Sequence, residues 1–499
     1  MAKRDEKHQL WGGRMTEPPD AANVAYCAGR DVAPRPMADA VLVPFDVWQN
    51  RAHVLMLAKQ GIIPARAAGR LVRALAAFGR EVGEGRLTLD PRKEDVHTNI
   101  EHYVAGRVGA HLSGLIHTAR SRNDQSATVM RMFVRSRLLA FGASLDALVR
   151  ALLDCALTHA DTPMAGMTHY QPASVTTVGH WLASHAQALL RDLGRILETA
   201  RRINLSPLGA AASFGTSWPI DRTFTARLLA FDGVQENTLD CVTNRWEAEA
   251  DAAAAVSFVM THLSILAQDL IILSLPQIGV VRIADRFVTG SSIMPQKRNP
   301  DFAEVTRAKA AAVHGLMATL FATARGLVSG YNRDTQWTKY AVMDIFAEAE
   351  SAPRVFEGVV ASLAVDRDRA AALAADDFVD AVDVADAVAR DAGIPFRTAY
   401  DLVSQAVRLS EGRGKIDLEI VKRLAAEKGA SRLTLRLGSP EQIAAAKTHT
   451  GAPAPQAVRA SIRGMRRRLA TLSAELTSRE DAIKRALAET DERCRALKP

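Results

Sequence analysis

The segment 290–301, GSSIMPQKRNPD, contains more residues suited to chemistry than any other stretch of this chain. It opens with small residues and two hydroxyls and then supplies Lys297 and the Asn299 amide. Hydroxyls and amides donate hydrogen bonds and lysine adds positive charge, so such a loop can close over an anion. The G-x-x-x-x-G-K spacing of a P-loop is absent. From the residues alone, an anion cradle and a plain surface loop both stay open.

A second polar motif, Thr168-His169-Tyr170-Gln171, places a histidine between two helical stretches. Histidine suits proton transfer near neutral pH. An isolated histidine is more often a hydrogen-bonded core residue, so the motif by itself leaves both interpretations open.

The cysteines indicate neither a zinc site nor a disulfide framework. Cys27, Cys155, Cys241 and Cys494 are too far apart for a C-x-x-C pair. Free thiols in a reducing cytosol are the simpler interpretation, and a cytoplasmic protein is predicted. Residues 1–9 are highly charged and lack the apolar core of a secretion signal.

The formal net charge of the 499 residues is +8, which is compatible with nucleic acid, an anionic membrane surface or a small anionic substrate. The densest basic run, Arg466–Arg468, falls on a predicted surface helix without interleaved aromatics. Nucleic-acid binding is therefore disfavoured, and a diffuse field that attracts a polyanionic substrate fits the charge equally well. The most apolar stretch, 252–275, contains His262, Gln268 and Asp269, which argue against a membrane span.

The segments that must position these motifs are long and rich in Ala and Leu. Helices are predicted over Thr128–His159, Ser174–Ile203 and Arg245–Leu275, and the third is apolar nearly all round. Helices of this length need partners, which predicts a bundle. Segments 166–168, 206–219 and 289–300 are predicted as loops or helix entries.

Apolar residues near the C-terminus step by four and three, which is a heptad-like seam. Its members are Val458, Ile462, Met465, Leu469, Leu472 and Leu476. A terminal helix that packs on its own domain is the favoured interpretation, and an inter-subunit coiled coil is the alternative.

The 290–301 loop resembles the signature of the fumarase, aspartase and argininosuccinate lyase superfamily, and further matches follow in the order of the argininosuccinate lyase family. They are Leu10–Arg14 (LWGGR), Glu94–His97 (EDVH), His117–Gln125 (HTARSRNDQ), Thr168–Gln171 (THYQ), Ser206–Gly209 (SPLG) and Tyr331–Asp334 (YNRD). The resemblance implies a lyase that splits argininosuccinate into arginine and fumarate by β-elimination.

The resemblance also implies roles for individual residues. Ser291 would be the base that removes a proton next to a carboxylate, and Lys297 would stabilise both its alkoxide and the charge that develops on the substrate. His169 would deliver a proton to the leaving nitrogen, and Glu304 would orient it. Nine further residues would bind substrate: Asn23, Ser121, Arg122, Asn123, Thr168, Asn299, Tyr331, Gln336 and Lys339.

The fold that the resemblance implies is all-α, with three domains around a central bundle of long helices. The expected domains are 1–122, 123–372 and 373–499. Four subunits would form a twenty-helix core and share their active sites. The family needs neither metal nor organic cofactor, and no membrane or nucleic-acid partner is expected.

Several residues depart from the family pattern. Cys27 stands where the family has Asp, and after Y-N-x-D the family usually has L-Q-E-D-K where this chain has Thr335–Lys339 (TQWTK). A guanidinium favours carboxylates as partners, so these changes bear on the amine half of the substrate. A lyase that releases fumarate from another N-(1,2-dicarboxyethyl) amine, similar to ethylenediaminedisuccinate lyase, is the alternative.

Overall fold

Helices dominate the chain and confirm the predicted all-α class. The computed structural model describes residues 17–18, 20–28, 35, 37–430, 433, 435 and 438–498. The predicted Leu10–Arg14 match lies outside the described residues.

The described residues of the N-terminal part form five α-helices. They are α1 (Ala21–Ala28), α2 (Ala38–Lys59), α3 (Ala65–Gly83), α4 (Val96–Val108) and α5 (Ala110–Gly114). An apolar core forms where α2, α3 and α4 pack together, and it includes Leu57, Leu71 and Ile100.

The central part is a bundle of long helices with short strands at its ends. Its elements are α6 (Arg122–Thr158), β1 (Pro163–Thr168), β2 (Gln171–Thr177), α7 (Val178–Arg202), β3 (Leu205–Ser206), α8 (Arg222–Leu228), β4 (Gly233–Val234), α9 (Thr238–Thr243), α10 (Glu247–Leu273), β5 (Val281–Arg282), α11 (Asp301–Ala324), α12 (Thr338–Ala349), α13 (Ala352–Ala361) and β6 (Ala364–Val365). β1 pairs with β2 and β5 with β6 in antiparallel register, and β3 pairs with β4 in parallel. The largest apolar cluster fills the bundle.

The C-terminal part is a small helical unit followed by one long helix. Its elements are α14 (Arg367–Ala374), α15 (Ala381–Ala392), α16 (Phe396–Leu409), α17 (Leu418–Glu427), α18 (Pro440–Ala446) and α19 (Pro455–Ala496). A separate core forms between α15, α16 and α17. The domain boundaries at 122/123 and 372/373 stay a prediction.

The seam along α19 is covered by the same chain. Val458, Ile462, Met465 and Leu469 are buried in the core of the central bundle, because α19 packs across α6 and α7. The other face of the helix, which carries Arg466–Arg468, is exposed as predicted.

The apolar helix α10 has the length and composition that a membrane-crossing helix would need. It packs against α7 and α11, and residues such as Val256, Leu263 and Leu270 are completely buried there. This environment is that of a core helix in a bundle.

Two of the predicted boundaries were wrong next to the chemical motifs. Helix α6 begins at Arg122 rather than Thr128, because Ser121 caps it: the Ser121 Oγ accepts from the Asn123 N–H, and the Ser121 N–H donates to Asp124. The predicted loop at 166–168 belongs to strand β1, and residues 174–177 belong to β2 rather than to α7.

A buried carboxylate joins the start of α6 to the segment 206–211. Asp124 is fully buried, and its Oδ2 accepts from the backbone N–H groups of Gly209 and Ala211 at 2.9 Å each. Its Oδ1 accepts from the Ser121 N–H at 3.0 Å. Gly209 has φ +92°, and a Cβ there would lie 2.7 Å from Arg222, so the close approach needs glycine.

We expect Asp124→Ala to destabilise the protein by about 3 kcal/mol or more, since an unpaired buried N–H group costs about 1–3 kcal/mol. Burial raises the pKa of Asp124 despite the three donors, and Asp124→Ala leaves those three N–H groups without their acceptor. Thermal unfolding followed by circular dichroism measures the effect.

The matched control is Asp154→Ala on the same helix. The side chain of Asp154 is 70% exposed and pairs with Arg466 on the surface, where an ion pair contributes about 0–1 kcal/mol. Equal melting temperatures for the two variants would contradict the anchoring role of Asp124.

Candidate active site

A cleft with a volume of about 320 Å³ opens at the start of α6, and we call it the α6 cleft. Five of the predicted substrate-binding residues line it: Arg122, Asn123, Tyr331, Gln336 and Lys339. The first two lie in the first turn of α6, and the others lie on the segment that leads into α12 or on its first turn. Ser121, another of the predicted substrate-binding residues, precedes Arg122 as the N-cap of α6. The fold therefore brings together residues that are more than 200 positions apart.

Charges of both signs face the α6 cleft. Four cations, Arg122, Arg245, Arg333 and Lys339, line it beside three acids, Asp39, Glu94 and Asp95. Lys339 Nζ lies 2.7 Å from Asp39 Oδ1, whereas Arg122 Nη1 lies 3.4 Å from Asp95 and 3.6 Å from Glu94. The two Arg122 pairs are long and partly exposed, so a charged ligand can compete with them, whereas the Lys339–Asp39 pair is tight and mostly buried.

A buried imidazole paired with a carboxylate also lies at the wall of the cleft. His97 lines the α6 cleft, and its Nδ1 lies 2.6 Å from Asp46 Oδ2. Burial opposes the charge on His97, but the Asp46 carboxylate outweighs burial and raises the pKa of His97. Asp46 also accepts from Gln125 on α6, which fixes its orientation.

The loop with the predicted base, residues 290–298, leaves the bundle between β5 and α11, and we call it the serine loop. Thr289 and Asn299 close its base through paired backbone hydrogen bonds of 3.0 and 2.8 Å. The Asn299 amide donates to the Gly290 carbonyl at 3.1 Å. Lys297 and Ile293 are exposed, so the tip of the loop projects from the chain.

The Ser291 hydroxyl occupies an unusual position within the serine loop. Its Oγ accepts from the backbone N–H groups of Ile293 at 3.3 Å and Met294 at 3.1 Å. Two oriented donors on one oxygen favour a negative charge there. Donors of this kind, together with a cation, are what a serine base requires.

The predicted acid, His169, lies at the tip of the β1–β2 hairpin. His169 and Tyr170 form its two-residue turn, with φ of 53° and 61°, and Thr168 pairs with Gln171. This left-handed conformation is uncommon for residues other than glycine, asparagine and aspartate. All four side chains of the motif are exposed. Thr168, His169 and Tyr170 border a groove with a volume of about 1030 Å³ between the hairpin and α10.

The remaining predicted residues lie near α11. Asn23 is buried on α1, which packs on α11 through a 2.9 Å hydrogen bond between Tyr26 and Thr306. Glu304 is exposed in the first turn of α11. Within one chain the predicted residues thus occupy three places: the α6 cleft, the hairpin tip, and the serine loop with its neighbours on α1 and α11.

Sequence reasoning missed several residues of the α6 cleft, among them His97, Asp39 and Arg245. His97 belongs to the quoted EDVH motif, which was a signal without an assigned role. Asp39 gave no signal, because it lies on α2, outside every motif of the resemblance. Arg245 was predicted only as the first residue of an apolar helix and lies outside the motifs of the resemblance. Among the described residues, no group of three or more His, Cys, Asp or Glu side chains is arranged to hold a metal.

Comparisons of sequence match the chain to known lyases. A family model described as lyase matches residues 44–315, and one described as argininosuccinate lyase C-terminal matches residues 378–434. The chain is 38% identical to the argininosuccinate lyase of Halorhodospira halophila over 93% of its own length and 98% of that protein. It is also 38% identical to the argininosuccinate lyase of Alkalilimnicola ehrlichii, over 95% and 99%.

Comparisons of structure give the same fold. The chain matches EDDS lyase in complex with formate with a TM-score of 0.87 and 28% identity, over 97% of both chains. A fumarate lyase from Mesorhizobium sp. BNC1 matches with a TM-score of 0.66 and 19% identity, over 86% of this chain and 98% of the other. The extent and identity of these matches show that the chain belongs to the argininosuccinate lyase family of the fumarase and aspartase superfamily.

Proposed function

We propose that this carbon–nitrogen lyase cleaves argininosuccinate to arginine and fumarate. The observation that carries the proposal is the convergence of Arg122 and Asn123 with Tyr331, Gln336 and Lys339 on the α6 cleft. These residues come from two separate motifs of the resemblance, and their meeting in one cleft is what a shared substrate requires.

The proposed reaction begins with proton removal by Ser291. The Ser291 alkoxide takes the proton from the carbon next to a succinyl carboxylate, and the electron pair left on that carbon delocalises into the carboxylate. Lys297 and the Asn299 amide stabilise the added charge. Backbone donors from Ile293 and Met294 on the Ser291 Oγ support this role, because they stabilise the alkoxide before it reacts.

Cleavage of the carbon–nitrogen bond completes the reaction. The electron pair forms the double bond of fumarate, the bond to nitrogen breaks, and His169 delivers a proton to the leaving nitrogen. Glu304 orients the imidazole. Exposure of His169 and Glu304 in the single chain supports a site that is completed by other copies.

Mixed charge in the α6 cleft fits argininosuccinate, which carries three carboxylates and a guanidinium group. In the proposed complex the carboxylates meet Ser121, Arg122, Asn123 and Thr168, while Tyr331, Gln336 and Lys339 contact the amine half. The family's acids are missing from 335–339, but Asp39, Glu94 and Asp95 face the same cleft and offer a guanidinium its carboxylate partners.

The proposed enzyme is a cytoplasmic homotetramer with active sites shared between subunits. Apolar side chains on the outer faces of the bundle support this proposal: Phe258 and Ile265 on α10 and Phe321 on α11 are each about half exposed. Exposed apolar surface on long helices is typical of a subunit interface. Asn23 would then join the serine loop and a hairpin from other copies.

A second candidate is a lyase that acts on another N-(1,2-dicarboxyethyl) amine. The likeness to EDDS lyase supports it, together with Cys27, Trp337 and Thr338 at the departures from the family. Trp337 is 66% exposed and contacts Tyr340, which lines the α6 cleft, so it lies close to the proposed amine half.

The proposal is tested by fumarate release, followed by ultraviolet absorbance, from argininosuccinate and from a panel of other N-succinyl amino acids and amines. We expect argininosuccinate to give the highest kcat/KM. Faster release from another panel member would move the substrate to the second candidate, and silence across the panel would contradict both.

Replacement of Ser291 tests the proposed base. We expect Ser291→Ala to lower kcat by about 10³-fold or more with KM changed little, because the base acts only in the transition state. Ser292→Ala is the control, since it removes a neighbouring exposed hydroxyl of the same loop. A Ser291→Ala enzyme with near-normal kcat would contradict the assignment.

The shared site predicts that two inactive variants can restore each other. Light scattering should give a mass near four chains of 53.9 kDa each. Subunits of Ser291→Ala and His169→Asn, mixed and reassembled, should regain part of the activity, because some sites receive both intact residues. An active monomer, or mixed assemblies without activity, would contradict the shared site.

A further inference from the structure

A cluster of buried charges lies beneath the α6 cleft. Arg245 precedes α10 and is 4% exposed, and Glu249 follows one helical turn later at 2% exposed. Arg131 on α6 is also buried, and its charge acts on Glu249 together with that of Arg245. Glu249 is thus the carboxylate that acts most strongly on both guanidinium groups.

Arg245 is only partly satisfied by the protein. Its Nη2 donates to Ser126 Oγ at 3.0 Å, but Nε and Nη1 have no hydrogen-bond partner among the described residues. Glu249 does not supply one, since its Oε2 is unpaired as well. A buried cation with unpaired donors is costly unless a ligand or another charge meets it.

The unmet donors belong to a side chain that lines the α6 cleft. Ser126, to which Arg245 is bonded, lines the cleft one turn along α6 from Arg122 and Asn123. Tyr331 borders the same space and is close enough to act electrostatically on Arg245. An anion in the cleft that approached the start of α6 would therefore meet this guanidinium.

The protonation of Glu249 strengthens the argument. Burial raises the pKa of Glu249 to about 7, although Arg245 and Arg131 oppose this. Near neutral pH the carboxylate is therefore only partly charged and neutralises Arg245 incompletely. Arginine stays protonated in proteins, so the positive charge beneath the cleft persists.

We propose that Arg245 is a further substrate-binding residue, which receives a carboxylate of the dicarboxylate half of the substrate. This inference deepens the proposed function and rests on it. The guanidinium would donate through Nη1 from below while Arg122 and Asn123 act from the first turn of α6. A charge-assisted hydrogen bond of this kind is worth about 10- to 100-fold in affinity.

The test is equilibrium binding of fumarate and of arginine to the full-length enzyme by titration calorimetry, which needs no turnover. We expect Arg245→Gln to weaken fumarate binding by about 10-fold or more and to leave arginine binding within about 2-fold. Arg245→Lys keeps the charge but lacks the planar group, so its fumarate affinity should be intermediate.

Arg131→Gln is the matched control. It removes the same charge from the same buried cluster, but its Nη1 donates to the Leu205 carbonyl at 2.6 Å and it does not line the α6 cleft. Its fumarate affinity should equal that of the wild type even if its melting temperature falls. Arg245→Lys is measured in the same way, so a failure of Arg245→Gln to fold leaves a testable variant.

Three results would overturn the inference: unchanged fumarate affinity in folded Arg245 variants, an equal loss in Arg131→Gln, or a loss of arginine binding with fumarate binding retained. Failure of the proposed function is a different result. In that case the wild-type enzyme releases no fumarate from any N-succinyl compound, and the calorimetric comparison of the variants still reports on the anion site.

Discussion

The buried carboxylate of Asp124 connects the parts of the chain on which the α6 cleft depends. Its two oxygens accept backbone N–H groups from Ser121, Gly209 and Ala211, so the start of the longest central helix and a distant loop are held by one side chain. This contact determines where α6 begins. Because Arg122, Asn123 and Ser126 lie in the first turns after it, the same contact determines which way they face.

The proposed catalytic and substrate-binding residues lie in separate places within a single chain. The α6 cleft gathers groups suited to binding anions, while His169 is at a hairpin tip and Ser291 is on a projecting loop. Long helices explain this arrangement: they place groups with great rigidity, but they carry them to opposite ends of a bundle. A proposed assembly of several copies brings such ends together without any bend in the helices.

Burial and charge are balanced differently in the two acid–base pairs near the cleft. His97 and Asp46 lie 2.6 Å apart, and the carboxylate stabilises an imidazolium despite complete burial. Glu249 and Arg245 form no such direct pair, so burial dominates and the pKa of Glu249 rises to about 7. The first pair is in direct contact within the chain, whereas the second leaves two guanidinium nitrogens of Arg245 without a hydrogen-bond partner among the described residues.

The amino-acid sequence by itself determined the helical class, the long central helices and the seam of α19, because apolar periodicity is a local property that only one kind of element satisfies. It also identified the motifs whose residues meet in the α6 cleft. Ser121 and Asp124 form a capping box, which indicates a helix that begins at Arg122. The polar residues that follow obscured this start, because they are buried only in the tertiary structure.

Other features could not be predicted from local pattern. The β1–β2 hairpin turns at His169 and Tyr170, which lack the Gly or Asn that usually indicates such a turn, so strand pairing rather than turn chemistry imposes it. The mixed charge of the cleft and the unmet donors of Arg245 depend on which of many charges come to lie side by side. The tertiary structure alone decided that, because burial and distance, rather than residue type, set the energy of a charge.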